Sequence, residues 1–149
     1  MSDELKTIDA EGVKSLHLRF GWIMLLIFIV LGAALEVLHG FKIGWYLDVG
    51  NETRRMMLRL AHAHGTLFAV INIIFALSVP AWPGWAPNRR DLASRTLRIG
   101  SVLLPGGFLA GGFFIYDGDP GLGVFLAPFG ALALVMCLII TVGAARSGR

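Results

Sequence analysis

Five side chains that can exchange protons or bind ions interrupt the apolar stretches of the chain. They are Glu36, His39, Arg59, His62 and His64. If those stretches cross a membrane, an ionisable side chain near the centre of a span costs about 2.5 to 3.5 kcal/mol on insertion scales. Each of these side chains then requires a partner or a polar cavity, which makes the set the first candidate for a functional site.

Helical spacing groups four of these residues. Glu36 and His39 are three residues apart and share one face of a first helix, and Arg59 and His62 share a face of a second helix in the same way. At about 1.5 Å per residue from the intervening loop, Glu36 and His62 both lie roughly 7 to 10 Å below the outer surface. The sequence therefore predicts one cluster of these four side chains in the outer half of a bilayer.

This cluster admits more than one chemistry. Carboxylate and imidazole groups ligate transition metals, so Glu36, His39 and His62 are candidate metal ligands. Glu36 and Arg59 can equally form a structural ion pair, and His39 can be an interfacial residue in contact with water. On sequence alone these interpretations stay open.

His62 and His64 are two residues apart. Side chains at this spacing point about 200° away from each other on a helix, so one metal ion would not easily take both. The pattern favours two histidines that each serve a separate partner.

The stretch AHAHGTLFA at residues 61–69 resembles the helix of haem-copper oxidase subunit I, on which an Ala-His-x-His sequence supplies axial ligands to two haems. The resemblance implies that His62 and His64 are candidate haem ligands and that b-type haem is a candidate cofactor. His39 is then the remaining intramembrane histidine for a second axial position. The copper-ligating histidines of the oxidases have no counterpart here.

The wider arrangement, with Glu36 near the end of the first helix and the His62 to Gly65 sequence early in the second, is also similar to small bacterial four-helix membrane proteins. That likeness implies a fold and no activity.

The composition of the chain defines its class. Of 149 residues, 56% are hydrophobic and 15% charged, with a mean hydropathy of +0.71, which excludes a soluble globular enzyme and a disordered chain. The single cysteine, Cys137, excludes a disulfide scaffold. The net charge of +3 comes from basic residues that flank apolar runs, which excludes a nucleic-acid-binding face.

Four apolar segments are each long enough to cross about 30 Å of hydrocarbon. They span approximately residues 20–39, 56–79, 97–116 and 122–142. These spans predict an all-α integral membrane protein, a single domain over residues 1–149 folded as an up-down-up-down four-helix bundle.

The basic residues are distributed unequally between the two sides of the predicted bundle. Nine lie before the first span, between the second and third, or after the fourth: Lys6, Lys14, Arg19, Arg89, Arg90, Arg95, Arg98, Arg146 and Arg149. The opposite side holds Lys42, Arg54 and Arg55. The positive-inside rule therefore predicts a multi-pass protein of the inner cell membrane with both termini in the cytoplasm.

Residues 1–18 are polar and predict a cytoplasmic segment, either flexible or a short amphipathic helix on the inner membrane surface. A cleaved signal peptide is the alternative. The long, acid-rich leading region argues against it.

The third span contains two small-residue patterns, Gly107-x-x-x-Gly111 and Gly106-x-x-x-Ala110. Such faces let helix backbones approach closely, either within the bundle or between protomers. Besides the lipid bilayer itself, the sequence thus offers a homo-oligomer or a larger membrane complex as the partner of this span.

Taken together, the residues favour redox or metal chemistry, with haem, a transition metal or a quinone bound near the outer face. No catalytic residue is identified. A non-enzymatic accessory or structural subunit is the first alternative, in which the same residues hold helices together. A small oligomer that conducts protons or solutes through Glu36 and the histidines is the second.

Overall fold

The computed structural model describes residues 9–147, and this part of the chain is helical. Four α-helices follow one another, with short 3₁₀ turns after the second and before the fourth. They are α1 (Ala10–Gly40), α2 (Thr53–Ser78), α3 (Pro87–Phe113) and α4 (Leu126–Ser147), and the turns are Val79–Ala81 and Leu122–Phe125. The predicted all-α class is confirmed.

Each helix, counted with its adjoining 3₁₀ turn, is long and apolar enough to cross a membrane. The helices also extend past the apolar windows, most clearly at α1 and α3, which each begin ten residues before the predicted span. Backbone hydrogen bonding continues a helix beyond its apolar part, and hydropathy does not detect that continuation. The prediction of four segments with the length and composition of membrane spans is confirmed.

The start of α1 differs from the predicted separate segment. The carboxylate of Asp9 caps the helix by accepting a hydrogen bond of 2.7 Å from the backbone nitrogen of Gly12, and the helix continues unbroken to Gly40. Residues 10–18 are therefore the first part of α1. The remainder of the predicted segment, residues 1–8, lies outside the described residues.

The helices pack in the order of the chain. α1 packs on α2, α2 on α3 and α3 on α4, while α1 touches α3 over a short stretch only and, among residues 9–147, makes no contact with α4. Apolar side chains on the two outer helices, such as Leu26 and Ile139, are exposed. The arrangement is an open row whose apolar faces suit a lipid surrounding.

Two apolar clusters hold the row together. The larger joins the beginning of α1 to the end of α2 and to α3 through Val13, Phe75 and Leu97, and reaches α4 at Leu134. The smaller lies near the α1–α2 loop and contains Leu35, Tyr46 and Leu58. The candidate site lies beside this smaller cluster.

The small-residue face of α3 is covered within the chain. A Cβ on Gly107 would lie 2.8 Å from the backbone nitrogen of Ala127, and one on Gly111 would lie 3.3 Å from the Val124 Cβ. Gly106, by contrast, has no atom within 4 Å of a Cβ position. The Gly107-x-x-x-Gly111 pattern thus brings the start of α4 close to α3. Association with another protomer stays a prediction.

Candidate functional site

A groove of about 1020 Å³ lies between α1, α2 and the loop that joins them. We call it the α1–α2 groove. Its polar wall is formed by Glu36, His39, Tyr46, Glu52, Arg55, Arg59 and His62. The structure therefore brings four of the five sequence candidates to one site, and only His64 lies elsewhere.

His62, in the wall of this groove, is held by a hydrogen bond to the other helix. Its Nδ1 lies 2.7 Å from the carbonyl oxygen of Phe28. Because a carbonyl oxygen only accepts, Nδ1 carries the proton, and in the neutral imidazole Nε2 is left with the lone pair. Nε2 makes no hydrogen bond to any described residue. His62, a residue of the groove wall, thus keeps one ring nitrogen without a hydrogen-bond partner among the described residues.

Two glycines make this contact possible. A Cβ on Gly32 would overlap the imidazole of His62, and a Cβ on Gly65 would overlap the ring of Phe28. Each helix therefore inserts one ring into a space that a glycine leaves on the other helix. This reciprocal packing explains how a histidine reaches the α1 backbone.

The charged side chains of the groove are only partly paired. We call them the rim: Glu36, Glu52, Arg55 and Arg59. Glu52 and Arg55 form an ion pair three residues apart on α2. Glu36 and Arg59 are both exposed on the groove, and the ion pairs among the described residues do not include one between them. The Glu36–Arg59 ion pair, one of the alternatives that the sequence leaves open, is not among the ion pairs of the described residues. Both groups are thus available to a third partner.

Tyr46 closes the loop end of the groove. It is 3% exposed, and its ring lies edge-on to that of His39, with the centroids 6.5 Å apart. Burial raises the pKa of the Tyr46 hydroxyl above its ordinary range, while the guanidinium groups of Arg59 and Arg55 lower it in part. The charges of the rim therefore act on this hydroxyl.

Neighbouring Arg54 holds the same loop in place. Its guanidinium carbon lies 4.5 Å from the centre of the Trp45 ring, and its Nη1 donates a 2.9 Å hydrogen bond to the Trp45 carbonyl. Its Nε donates to the carbonyl of Gly112 at the end of α3, at 3.3 Å. This side chain ties the loop that carries Tyr46 to α3.

His64 lies outside the groove. Its Nδ1 is 2.8 Å from the carbonyl oxygen of Leu60, one helical turn earlier, and its ring packs against Phe68 and Phe108 at centroid distances of 5.9 and 5.2 Å. His62 thus contacts α1 while His64 contacts α3. Ligation of haem by either histidine stays a prediction.

The structure does not assemble the predicted metal site. Among the described residues, no three His, Cys, Asp or Glu side chains lie close enough together to hold a metal ion. The set Glu36, His39 and His62 shares the groove wall without forming such a group.

Sequence reasoning missed a buried polar network, which we call the His17 network. His17 is fully buried, with Nδ1 2.7 Å from the Oδ1 of Asn72 and Nε2 2.8 Å from the Oγ of Ser94. Asn72 in turn donates from Nδ2 to the Ser101 Oγ and to the Phe68 carbonyl, both at 2.8 Å. The network links α1, α2 and α3, and each of its four polar side chains is fully buried.

One signal for this network was present in the sequence. Asn72 is a neutral amide inside an apolar run, and such a group requires partners on another helix. The spacing of Val13, His17 and Gly21, each four residues apart, also marks a buried face that continues into the first span.

Comparisons with known proteins add no assignment to this geometry: no family model, no curated protein and no solved structure matches the chain.

Proposed function

We propose that the chain is an integral membrane protein that binds a small bilayer-soluble ligand of the quinone class in the α1–α2 groove. The observation that carries the proposal is the hydrogen bond from His62 Nδ1 to the Phe28 carbonyl, which leaves His62 Nε2 unpartnered among the described residues on the groove wall. A nitrogen held in this way is a preorganised acceptor for a ligand hydroxyl.

The size and lining of the groove support a ligand of this kind. Small-molecule sites typically enclose about 300 to 1,000 Å³ and combine apolar walls with a few convergent polar groups. The groove has a volume of about 1020 Å³, and its apolar wall includes Ile29, Ala33 and Leu60. Ile29 and Ala33 are exposed, so the groove is open along α1 to a ligand that resides in the bilayer.

The polar groups suit both oxidation states of a quinone. A quinone oxygen accepts hydrogen bonds, which the exposed guanidinium of Arg59 donates, whereas a hydroquinone hydroxyl donates to His62 Nε2 or to the carboxylate of Glu36. Because Glu36 and Arg59 are not paired with each other, neither has to break an ion pair to bind the ligand.

Haem is the second candidate, favoured by the same hydrogen bond. A histidine that ligates a metal usually donates its other ring N–H to a carbonyl or carboxylate, as His62 does. Arg55 and Arg59 at the rim would pair with the haem carboxylates. The sequence resemblance also favours haem. Haem, however, requires a second axial ligand, whereas a quinone requires none. The quinone is therefore the first candidate.

The two candidates separate in one experiment. The protein is purified from membranes in mild detergent, its absorption spectrum is recorded, and an organic extract is analysed by mass spectrometry. We expect a quinone in the extract of the wild type and of His64→Ala, and loss of most of it in His62→Ala. His64 is the matched control because it makes the same kind of Nδ1 hydrogen bond outside the groove.

A Soret band that His62→Ala removes would replace the quinone with haem. A protein with no chromophore and no extractable ligand, or with equal ligand in wild type and His62→Ala, would overturn ligand binding at His62. That result would favour the accessory subunit.

A further inference from the structure

A second groove lies between α1 and α3, which touch each other over a short stretch only. We call it the Arg98 groove. It has a volume of about 430 Å³ and is lined by Phe20, Arg95, Arg98, Ile99, Val102 and Leu103. It shares no residue with the α1–α2 groove, so an inference about it rests on the proposed membrane location but not on ligand binding at His62.

The cationic part of this groove is only half neutralised. Arg95 forms an ion pair with Asp91, with 2.8 Å between Nη2 and Oδ2. Arg98 makes no ion pair within residues 9–147, and its buried Nε has no hydrogen-bond partner there. A buried donor left unpaired in this way is unfavourable until an acceptor reaches it. An anionic acceptor next to Arg98 would therefore stabilise this groove.

The rest of the groove is apolar. Phe20 contributes from α1, and Ile99, Val102 and Leu103 contribute from α3. Ile99 and Val102 are about half exposed, at 50% and 51%. A soluble anion gains nothing from this surface, whereas an anion attached to a hydrocarbon chain would cover it.

We propose that the Arg98 groove binds an anionic phospholipid, with the phosphate on the guanidinium groups of Arg98 and Arg95 and an acyl chain along Ile99 and Val102. Basic pockets between membrane-spanning helices select anionic headgroups by charge. A zwitterionic lipid carries its own cation close to the phosphate and so competes poorly for Arg98. The sequence also predicts which leaflet supplies this lipid. Arg98 lies on the side predicted to be cytoplasmic, so the lipid comes from the cytoplasmic leaflet.

Lipid competition tests the proposal. The protein is reconstituted in bilayers with equal amounts of phosphatidylglycerol and phosphatidylcholine of the same chain length, and the retained lipid is counted by native mass spectrometry. We expect the wild type to retain phosphatidylglycerol in excess. Arg98→Gln should lower that excess about fivefold, the effect of one cation near a bilayer surface.

Three further variants distinguish this site from general surface charge and from misfolding. Arg89→Gln removes the same charge from an exposed position on α3 outside the groove and should leave the excess unchanged. Arg98→Lys keeps the charge but lacks the planar guanidinium, and it should restore part of the excess that Arg98→Gln loses. Val102→Trp fills the apolar part and should lower retention while both arginines remain.

Inorganic phosphate serves as the probe for a soluble anion. In detergent without lipid it should not raise the melting temperature of the wild type more than that of Arg98→Gln. If phosphate stabilises the wild type as much as phosphatidylglycerol does, the site belongs to a free anion and the lipid assignment fails. Equal retention of the two lipids, or equal losses in Arg89→Gln and Arg98→Gln, would overturn the site itself.

Discussion

His62 on α2 and Phe28 on α1 are joined in two ways. The Nδ1 of His62 donates to the backbone carbonyl of Phe28, while the Phe28 ring fills the space over Gly65, three residues beyond His62. One contact is polar and directional and the other is apolar. The position of the imidazole on the groove wall thus depends on how closely the two helices approach.

The two glycines of this contact should not tolerate a methyl group. Gly32→Ala would force the His62 ring away from Phe28, and Gly65→Ala would displace the Phe28 ring. Each substitution should lower the free energy of unfolding by about 1 to 3 kcal/mol, the usual cost of overpacking. Reversible unfolding in mixed detergent micelles measures the change.

Gly106→Ala is the control for both glycine substitutions. It is also a helical glycine, on α3, but no atom lies within 4 Å of its Cβ position. This substitution should leave stability unchanged or raise it by about 0.4 to 1 kcal/mol, because alanine has less chain entropy to lose on folding. If all three variants behaved alike, the close approach at Gly32 and Gly65 would be refuted.

The His17 network should behave as one cooperative unit. His17→Ala leaves the Oδ1 of Asn72 and the hydroxyl of Ser94 without their partner, at about 1 to 3 kcal/mol for each buried group left unpaired. Asn72→Ala breaks the same contact from the other side. Unfolding of the single variants and of the double variant should give a coupling energy between the two sites of about 0.5 to 3 kcal/mol.

His39→Ala provides the contrast, since this side chain is exposed on α1. Its effect on the free energy of unfolding should stay within about 0.5 kcal/mol, as for most surface positions. Strict additivity between His17→Ala and Asn72→Ala would show that the hydrogen bond between them contributes nothing to stability.

The hydroxyl of Tyr46 should titrate above its ordinary pKa of about 10, because burial disfavours the phenolate. The chain has two tyrosines, so Tyr116→Phe leaves Tyr46 as the single reporter in a spectrophotometric titration. Adding Arg59→Gln should raise the midpoint further, since the Arg59 cation lowers this pKa. Adding Arg89→Gln instead, away from the groove, should not.

The same shift has a consequence for stability. A pKa that is raised in the folded state gives a contribution that is fully present below the unfolded pKa of about 10 and is lost as the pH rises through the higher folded value. Wild-type protein should therefore lose stability in that alkaline window, and Tyr46→Phe should lose less. A midpoint at or below 10 in the Tyr116→Phe variant would contradict the burial of Tyr46.

Spacing and depth along two helices were enough to anticipate that Glu36, His39, Arg59 and His62 share one site. Both quantities follow from helix geometry and from the length of the apolar runs, which the sequence contains directly. The partner that His62 contacts was beyond such reasoning. It is a backbone carbonyl, at Phe28, and it becomes reachable only through the absence of a side chain at Gly32.

Two features lie beyond the precision of reasoning from the sequence, and for different reasons. The Glu36–Arg59 ion pair depends on side-chain reach of a few ångströms, whereas rise-per-residue arithmetic places residues only to within a helical turn. The His17 network depends on where α1 begins. The hydropathy of the sequence separates the polar start of α1 from the apolar span. In the structure, Val13 and His17 continue the buried face of α1.

The order in which the helices pack follows the order in which they are made. Among residues 9–147, α4 packs on α3 and on neither of the other two helices, while the His17 network needs only α1, α2 and α3. Synthesis proceeds from the N-terminus, so every donor and acceptor of that network is already in the chain before α4 leaves the ribosome. The first three helices can therefore complete their polar contacts during translation. α4 then packs on α3, whose glycines leave space for the close approach of α4.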